Sequence, residues 1–386
     1  MSNHHEAVIV AYGRTPLARA FKGGFVNTHP IHYTACALKG VLEKVPQLDV
    51  STIDDIIVGN AMPERYTGYN IARLVAGKAG LPDTVPAQTI NRFCSSGLQA
   101  IATAANAIEA GQMDVVVAGG VEMMTGMEMG HPEEFHDQEL AAMIPGTYIS
   151  MGSTAEIVAE RYNVSREEME IMAVESHQKA FAAQEAGKFV EEIIPVSVKD
   201  ENGSVVLTKD EGIRPSTTAE KLAKLDPCFR TDGRITAATS SQMTDGASFV
   251  VLMSRKRAKE LDCTPIARFA SFVVAGVPAE IMGIGPVAAV PKALEKAGIT
   301  MADLDIIELN EAFAAQAIAC IKELDLPKDK INPNGGAMAL GHPMGATGTI
   351  LTCKAISELK RTGGKYALIT MCIGGGMGAA GVLVME

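Results

Sequence analysis

The chain of 386 residues contains one structural unit twice, and this repeat constrains its fold more than any single motif. Residues 37–62 and residues 291–313 each predict a helix, a turn, a short β-rich strand and then an asparagine. The asparagines, Asn60 and Asn310, are offset by roughly 250 residues. Strands that alternate with helices in both copies predict an α/β protein with two mostly parallel layers whose loops face each other.

A second pair of segments extends the repeat and reveals an insertion. Residues 91–120 and residues 341–376 both read as a turn, a helix, a glycine break and a strand. The closing strands match through Gly246 and Gly378, but there the offset is only about 130 residues. The first copy must therefore hold an insertion of roughly 120 residues.

These offsets divide the chain into three parts. We expect an N-terminal core domain formed by residues 1–120 and 239–262, an inserted loop domain at residues 121–238, and a C-terminal core domain at residues 263–386. A functional site at the junction of the two core domains would draw residues from both copies of the unit.

Composition excludes several classes of function. A net charge of −11 argues against nucleic-acid binding, which depends on clustered Lys and Arg. The seven cysteines show no short paired spacing and indicate reduced thiols. No apolar run has the length of a membrane span, and neither a leader peptide nor a peroxisomal tripeptide is recognisable. We therefore expect a cytoplasmic location and no membrane partner.

Cys94 follows a predicted strand and precedes an Ala-rich helix. A helix N-terminus presents unpaired amide donors and the positive end of the helix dipole, which lowers the pKa of a thiol and favours the nucleophilic thiolate. Most free cysteines are instead small buried core residues. We assign that plainer interpretation to the cysteines with no such setting, namely Cys36, Cys228, Cys263, Cys320 and Cys353.

Three further residues stand in comparable loops. Cys372 ends an apolar run and precedes several glycines, so we expect an exposed thiol at the carboxyl end of a strand. His342 lies in a glycine-rich loop where no apolar periodicity explains it, although a loop histidine alone is more often a surface residue than a catalyst. Asn310 alone is equally consistent with a helix N-cap. The conjunction of all three with Cys94 at equivalent strand ends is what favours a shared site.

Four segments in this order resemble the loops of the thiolase family. NRFCSSGLQA, around Cys94, looks like the nucleophile loop, and LNEAFAAQ, around Asn310, looks like the asparagine loop. NPNGGAMALGHPMGATG, around His342, is similar to the histidine loop, and CIGGGMG, at Cys372, to the second-cysteine loop. The resemblance covers essentially the whole chain. It implies the thiolase fold, in which two pseudosymmetric βαβαβαββ core domains form five layers and carry an inserted loop domain.

The resemblance also implies an acyltransferase that cleaves 3-ketoacyl-CoA reversibly to acetyl-CoA and a shortened acyl-CoA, through a ping-pong reaction with a cysteine acyl-enzyme. Cys94 would be the acylated nucleophile, and His342 would accept its proton. Cys372 would be the general acid and base. One oxyanion hole would consist of His342 and a water held by Asn310, and the other of the backbone amides of Cys94 and Gly374.

Coenzyme A is bound in this family mostly by the loop domain. The matching positions are Arg214, for the nucleotide end, and Ser241, for the pantetheine. CoA and acyl-CoA would be substrates, and neither a cofactor nor a metal is implied. Family members are usually dimers or tetramers, so we expect a homodimer or a homotetramer.

Several alternatives remain at this stage. Short-chain biosynthetic thiolases, which condense two acetyl-CoA, usually carry His where this chain has Ser150. The segments EIIPV, EGIRPSTT and IMGIGP are similar to degradative 3-ketoacyl-CoA thiolases of fatty acid β-oxidation, and we therefore favour cleavage. Cys372 argues against a condensing synthase, and the presence of both cysteines with the histidine argues against a non-catalytic thiolase-like scaffold. Chain-length preference, direction of the reaction, and dimer versus tetramer stay open.

Overall fold

The computed structural model describes residues 5–144, 146–200 and 203–386. The strands are β1 (Ala7–Arg14), β2 (Ala18–Arg19), β3 (Asp55–Gly59), β4 (Ala87–Ile90), β5 (Val115–Glu122), β6 (Val196–Asp200), β7 (Gly203–Leu207), β8 (Thr244–Ser254), β9 (Ala267–Gly276), β10 (Ile306–Leu309), β11 (Tyr366–Ile373) and β12 (Met377–Met385). The helices are α1 (Pro30–Leu42), α2 (Ile71–Ala79), α3 (Ser96–Glu109), α4 (Gln138–Met143), α5 (Met151–Arg161), α6 (Arg166–Glu185), α7 (Ala219–Leu222), α8 (Arg255–Glu260), α9 (Gly285–Ala297), α10 (Ala314–Glu323), α11 (Ala337–Leu340) and α12 (Met344–Thr362).

Two halves of the large sheet share one connectivity. In the first half, β3 runs parallel to β5, and β8 runs antiparallel to both β5 and β1. In the second half, β10 runs parallel to β11, and β12 runs antiparallel to both β11 and β9. Between β1 and β9, which join the halves, the ladder contains the pair Ile9 and Ala267. The expected α/β class and the duplication of one unit are therefore confirmed.

Three hydrophobic cores stack the chain into five layers. One core packs α1 and α2 on the outer face of the first half-sheet, and another packs α9 and α10 on the outer face of the second. The remaining core packs α3 and α12 between the two half-sheets. Because both faces of β5 and β8 are covered, β5 is apolar almost throughout, and β8 contains the continuous apolar run 249–253, rather than an alternating pattern. The layers follow the order that the family resemblance implied.

The two central helices touch at their first turns, backbone against backbone. A Cβ atom on Gly348 would lie 2.3 Å from the backbone nitrogen of Leu98, and one on Gly97 would lie 2.9 Å from the carbonyl oxygen of Gly345. Glycine is therefore required on both helices at this contact. The loops immediately before α3 and α12 are consequently held beside each other.

Between β5 and β8 the chain leaves the large sheet to form α4 to α7 and the β6–β7 hairpin. Two acids of this region, Glu192 and Asp210, bind the buried guanidinium of Arg14 in β1 at 2.8 and 2.7 Å. Removing one member of such a buried ion pair is costly, because the other charge is then left uncompensated. None of the described helices combines the length and the apolar character that a membrane span requires.

Candidate active site

A strained turn presents Cys94 between β4 and α3. Phe93 has a φ of 43°, a left-handed conformation that is unfavourable for a bulky side chain and that occurs often at functional sites. Asn91 Oδ1 accepts a hydrogen bond from the Phe93 amide at 2.7 Å, and the Ser96 hydroxyl donates to the Phe93 carbonyl at 2.7 Å. These local bonds fix the turn and therefore the direction of the partly buried Cys94 side chain.

Burial, rather than the helix terminus, dominates the acidity of the first thiol. It raises the pKa of Cys94 to about 11, although hydrogen bonds from the backbone amides of Gly374 and of Cys94 itself act in the opposite direction. The prediction that the start of α3 lowers this pKa is therefore wrong. At neutral pH the sulfur is protonated, so a nearby base must remove its proton. The two amides facing the sulfur are the pair that the family resemblance assigned to an oxyanion hole.

His342 lies between α11 and α12, and its imidazole is neutral and can therefore act as a base. The Thr347 hydroxyl donates to the Pro343 carbonyl at 3.0 Å, so its oxygen accepts the bond from His342 Nδ1 at 2.6 Å. Nδ1 therefore carries the proton, and Nε2 is the unprotonated nitrogen, which accepts a long hydrogen bond of 3.4 Å from Asn310 Nδ2. Burial lowers the pKa of His342 to about 4, which keeps the imidazole neutral at physiological pH.

Asn310 is the neighbour of that imidazole. Its Nδ2 lies 3.4 Å from His342 Nε2, and its Oδ1 has no hydrogen-bond partner within the described residues. It directly follows β10, whereas α10 starts only at Ala314 with Phe313 as its N-cap, so the plain capping interpretation does not apply. A buried amide oxygen without a partner is suited to accept a hydrogen bond from a water or a substrate.

Cys372 is fully buried near the end of β11, and the expectation of an exposed thiol is wrong. β12 pairs along β11, with Gly378 opposite Cys372, while Met151 and Phe313 pack against the cluster that Cys372 forms with Met282 and Ala312. Burial, with a further contribution from the charge of Cys94, raises the pKa of Cys372 well above its ordinary value. The two sulfurs are thus close enough to influence each other electrostatically.

The two residues predicted to bind CoA, Ser241 and Arg214, lie at different depths in the candidate site. The Ser241 amide donates to the Ala312 carbonyl at 2.9 Å, which places this residue beside the asparagine loop. Arg214 is exposed, and its guanidinium reaches Gln242 Oε1 at 3.3 Å. The carbonyl of Gln242 in turn accepts a hydrogen bond from the His342 amide at 3.1 Å.

Of the five cysteines predicted to lie in cores, three are buried: Cys263, Cys320 and Cys353. Cys36 is partly buried, and Cys228 is exposed, so the prediction is wrong for Cys228. All seven cysteines are free thiols. No group of three or more His, Cys, Asp or Glu side chains in the described part of the chain is arranged to hold a metal ion.

Two buried carboxylates were missed from the sequence. Glu122 ends β5, and Glu311 directly follows Asn310; they are 0% and 3% exposed. Each accepts a backbone N–H from the histidine loop, since Glu122 binds Gly345 at 2.9 Å and Glu311 binds Met338 at 3.2 Å. An acid that closes the apolar run VVVAGGVE is the signal that identifies Glu122. Thr347, which orients His342, was also missed.

Comparison with known proteins supports one assignment throughout the chain. The family model for the thiolase N-terminal domain matches residues 7–256, and the model for the thiolase C-terminal domain matches residues 263–385. A 3-ketoacyl-CoA thiolase of Bacillus subtilis is 49% identical over 98% of this chain and 98% of its own length.

Solved structures agree with the sequence relatives. Bacillus anthracis acetyl-CoA acetyltransferase superposes with a TM-score of 0.92 at 40% identity, covering 99% of both chains. Human mitochondrial 3-ketoacyl-CoA thiolase in complex with CoA superposes with a TM-score of 0.89 at 37% identity, covering 98% of both chains. The chain belongs to the thiolase family.

Proposed function

We propose that this protein is an acyltransferase that cleaves 3-ketoacyl-CoA to acetyl-CoA and a shortened acyl-CoA, as in fatty acid β-oxidation. The observation that carries the proposal is the neutral imidazole of His342, whose unprotonated Nε2 faces Asn310 at 3.4 Å, on a loop whose following helix packs against the helix that begins beside Cys94. The 49% identity to a bacterial 3-ketoacyl-CoA thiolase along nearly the full length supports the cleavage direction.

In the first step, the sulfur of Cys94 attacks the 3-keto carbon and His342 Nε2 takes the thiol proton. The pKa values of about 11 for Cys94 and about 4 for His342 make this transfer unfavourable before substrate binds. Proton transfer therefore accompanies formation of the carbon–sulfur bond. The tautomer set by Thr347 leaves Nε2 as the accepting nitrogen.

In the second step, the bond between C2 and C3 breaks, and the departing acetyl-CoA carbanion takes a proton from the thiol of Cys372. The resulting thiolate then deprotonates the thiol of CoA, whose sulfur attacks the Cys94 thioester and releases the shortened acyl-CoA. The departing Cys94 sulfur takes back the proton from His342 Nε2, which restores the starting enzyme. The raised pKa of Cys372 suits this role, because its neutral thiol retains the proton until the carbanion forms. Run backwards, the same groups condense acyl-CoA molecules.

Negative charge develops on a carbonyl oxygen in both steps. We assign one oxyanion hole to His342 with a water bound by Asn310, and the other to the amides of Cys94 and Gly374. The unpartnered Oδ1 of Asn310 supports the first, and the amides that face the Cys94 sulfur support the second. Each aimed donor of this kind commonly contributes about 10²–10³ in rate.

We assign CoA binding mostly to the loop domain, residues 121–238, with Arg214 at the nucleotide end, and to Ser241 of the N-terminal core domain at the pantetheine. Arg19 lies near enough to Arg214 that repulsion between the two guanidiniums contributes to a lowered pKa of Arg214, behind the larger effect of partial desolvation of its side chain. Neither guanidinium forms an ion pair with a carboxylate in the described residues. Two such guanidiniums provide local positive charge for phosphate on an acidic protein. The core domains would then comprise residues 1–120 with 239–262, and residues 263–386.

The surroundings of the two thiols favour a range of acyl chains. Methionines flank both sites, and an unbranched thioether fills irregular space and adapts to different partners. They are Met62, Met124 and Met344 near Cys94, and Met151 and Met282 near Cys372. We propose a substrate class that includes 3-ketoacyl chains longer than acetoacetyl.

We propose that the protein is located in the cytoplasm, a compartment that keeps the thiols reduced. We also propose that it forms a homodimer or homotetramer through the edge strand β4. β4 ends the large sheet, and an open edge readily pairs with another strand. Exposed Tyr66, Tyr69 and Phe93 lie on the neighbouring loops, with Tyr69 91% exposed. A second copy seated there would cover the turn that carries Cys94. Sedimentation velocity tests this assignment, and a species of one chain would contradict it.

Thiolysis of acetoacetyl-CoA and of longer 3-ketoacyl-CoAs, followed through loss of the 3-keto thioester, tests the activity. We expect Cys94→Ala to abolish cleavage and acyl transfer, because no acyl-enzyme forms. Cys372→Ala should still form some acyl-enzyme, detectable as a mass increase on Cys94, because only the second proton transfer is removed. Acyl-CoA should protect Cys94 from iodoacetamide.

Cys353→Ala is the matched control, because this buried thiol lies in the middle of α12 and has no proposed role. It should keep wild-type turnover. Normal turnover by Cys94→Ala would end the proposed mechanism. Cleavage confined to acetoacetyl-CoA would instead favour the short-chain alternative suggested by the similarity to an acetyl-CoA acetyltransferase.

A further inference from the structure

The carboxylate of Glu122 is fully buried and has no part in the chemical steps. Its Oε1 accepts hydrogen bonds from Asn60 Nδ2 at 2.8 Å and from the Met62 amide at 3.4 Å. Its Oε2 accepts from the amides of Ala61 and Gly345, both at 2.9 Å. One side chain of the first half therefore binds both the loop after β3 and the N-terminus of α12, which belongs to the second half.

The contact of Glu122 with the N-terminus of α12 lies where the loop that carries Cys94 meets the loop that carries His342. A Cβ atom on Gly345 would be 2.5 Å from the Val121 carbonyl oxygen, and one on Gly97 would be 2.9 Å from the Gly345 carbonyl oxygen. Gly345 follows His342 by three residues, and Gly97 follows Cys94 by three residues. The position of the Gly345 backbone therefore sets the separation between the imidazole and the first thiol.

The other end of the histidine loop is held in the same way. Glu311, which follows Asn310, accepts the Met338 amide at 3.2 Å and the Ser176 hydroxyl at 2.7 Å. The loop is thus bound at its start by a carboxylate of the second half and at its end by a carboxylate of the first. Of the two acids, only Glu122 comes from the half that carries Cys94.

We propose that Glu122 is a positioning residue for the thiolase reaction, whose carboxylate fixes the histidine loop relative to Cys94 by joining residues 60–62 to the N-terminus of α12. The inference rests on the proposed roles of Cys94 and His342. A carboxylate is required because every group around it is an N–H donor. The amide of glutamine has only one acceptor oxygen. Its NH₂ group would replace the other carboxylate oxygen and would face N–H donors there.

The charge of Glu122 provides a readout that a purely structural role would not affect. The titratable groups facing it are the Cys94 thiol and the Tyr33 hydroxyl, which donates to the Glu122 carbonyl at 2.9 Å. Above its raised pKa of about 7, Glu122 is negatively charged, and this charge contributes to the raised pKa of Cys94, behind the larger effect of burial. Removing the charge should therefore shift the alkylation profile of Cys94 to lower pH.

The experiment compares Glu122→Gln and Glu122→Asp in the full-length enzyme. We expect Glu122→Gln to lower kcat for thiolysis by about tenfold to a hundredfold at nearly unchanged KM, the scale on which a small misplacement of reacting groups acts. The pH profile of iodoacetamide labelling at Cys94 should lie at lower pH in this variant than in the wild type. Glu122→Asp keeps the charge but is one methylene shorter, so its kcat should fall while its labelling profile stays close to wild type.

Glu156→Gln is the matched control. Its carboxylate is equally buried and accepts the amides of Arg234 and Ile235 in the inserted region. It should lose stability without changing kcat or the labelling profile. Wild-type kcat in both Glu122 variants would overturn the inference, as would a loss explained by the folded fraction seen in circular dichroism. If Glu122→Gln does not fold, Glu122→Asp alone decides. A wild-type enzyme without thiolysis would instead contradict the proposed function.

Discussion

Asn60 and Asn310 occupy the same position in the two halves of the molecule, directly after β3 and β10. Asn60 Nδ2 donates to Glu122 at 2.8 Å and to the Val121 carbonyl at 3.2 Å, so the amide nitrogen is committed to structure, although Asn60 Oδ1, like that of Asn310, has no partner in the described residues. The side chain of Asn310 contacts the imidazole of His342, and its oxygen has no partner in the described residues. Duplication thus supplies equivalent positions, and the neighbouring side chains decide which copy is available for chemistry.

The halves also differ in what they add around these asparagines. The first half supplies one reactive group, Cys94, on a strained turn, together with the buried anchor Glu122. The second half supplies the base and the second thiol. A site assembled from two copies of one unit therefore needs a bridge between them, and the contact of Glu122 with α12 is such a bridge.

The sharpest test of this contrast exchanges each asparagine for alanine. Asn310→Ala should lower kcat about 10²–10³-fold, because an oxyanion donor set is lost, with little change in stability. Asn60→Ala should lower the free energy of unfolding by about 1–3 kcal/mol, because the buried groups it binds lose a partner, with a smaller loss of kcat. Thiolysis kinetics and urea unfolding of both proteins measure the two effects.

Equal losses of kcat in the two variants would remove the contrast. It would then follow that both asparagines act in the same network, and that the first half is not merely a support. A stability loss confined to Asn310→Ala would reverse the assignment.

Repeats and strand-end loops were accessible from the sequence because they rest on local patterns. The helix–turn–strand repeat follows from matching short segments of the chain to each other, and the five-layer order follows from the resemblance to the thiolase family. Burial was not accessible in this way. Cys372 appeared exposed because glycines follow it, whereas β12 and Met151 cover it in the structure. The acidity of Cys94 was misjudged for the same reason, since desolvation outweighs the helix terminus.

Glu122 illustrates a second limit. Its four donors come from residues 60–62 and from Gly345, which are far apart in the chain. Local propensity carries no information about such partners. An acid at the end of an apolar strand signals that some partner set exists, but only the packed helices reveal which one.

A second test concerns the layer that both halves share. Gly348→Ala would place a Cβ atom 2.3 Å from the Leu98 backbone, so α3 and α12 must separate. Such overpacking should cost about 1–3 kcal/mol, or more because the opposing atom is backbone. Gly77→Ala in the outer helix α2 meets nothing within 4 Å and should stabilise by about 0.5–1 kcal/mol. Thermal unfolding of both variants measures the difference, and a tolerated Gly348→Ala would show that the halves are not closely joined there.

The smallest expected effect is a difference between the two halves in how their buried titratable groups make stability depend on pH. Burial raises the pKa of Glu122 from 4.5 to about 7 and lowers the pKa of His342 from 6.5 to about 4. Between these limits, unfolding releases a proton from Glu122, so its contribution to stability falls as pH rises. Unfolding takes up a proton at His342, so its contribution grows as pH rises. Each limiting slope is about 1.4 kcal/mol per pH unit, and the two oppose each other.

Glu122→Gln should therefore make stability rise more steeply between pH 4.5 and 6.5, and His342→Gln should flatten or reverse the rise. His177, whose pKa burial also lowers to about 4, contributes equally to both variants and cancels in their comparison. Urea unfolding at intervals across this window gives the slopes. Only an acid with a raised pKa in one half and a base with a lowered pKa in the other change the slope in opposite directions. Slopes that change in the same direction in both variants would therefore mean that the two halves do not bury opposite kinds of charge.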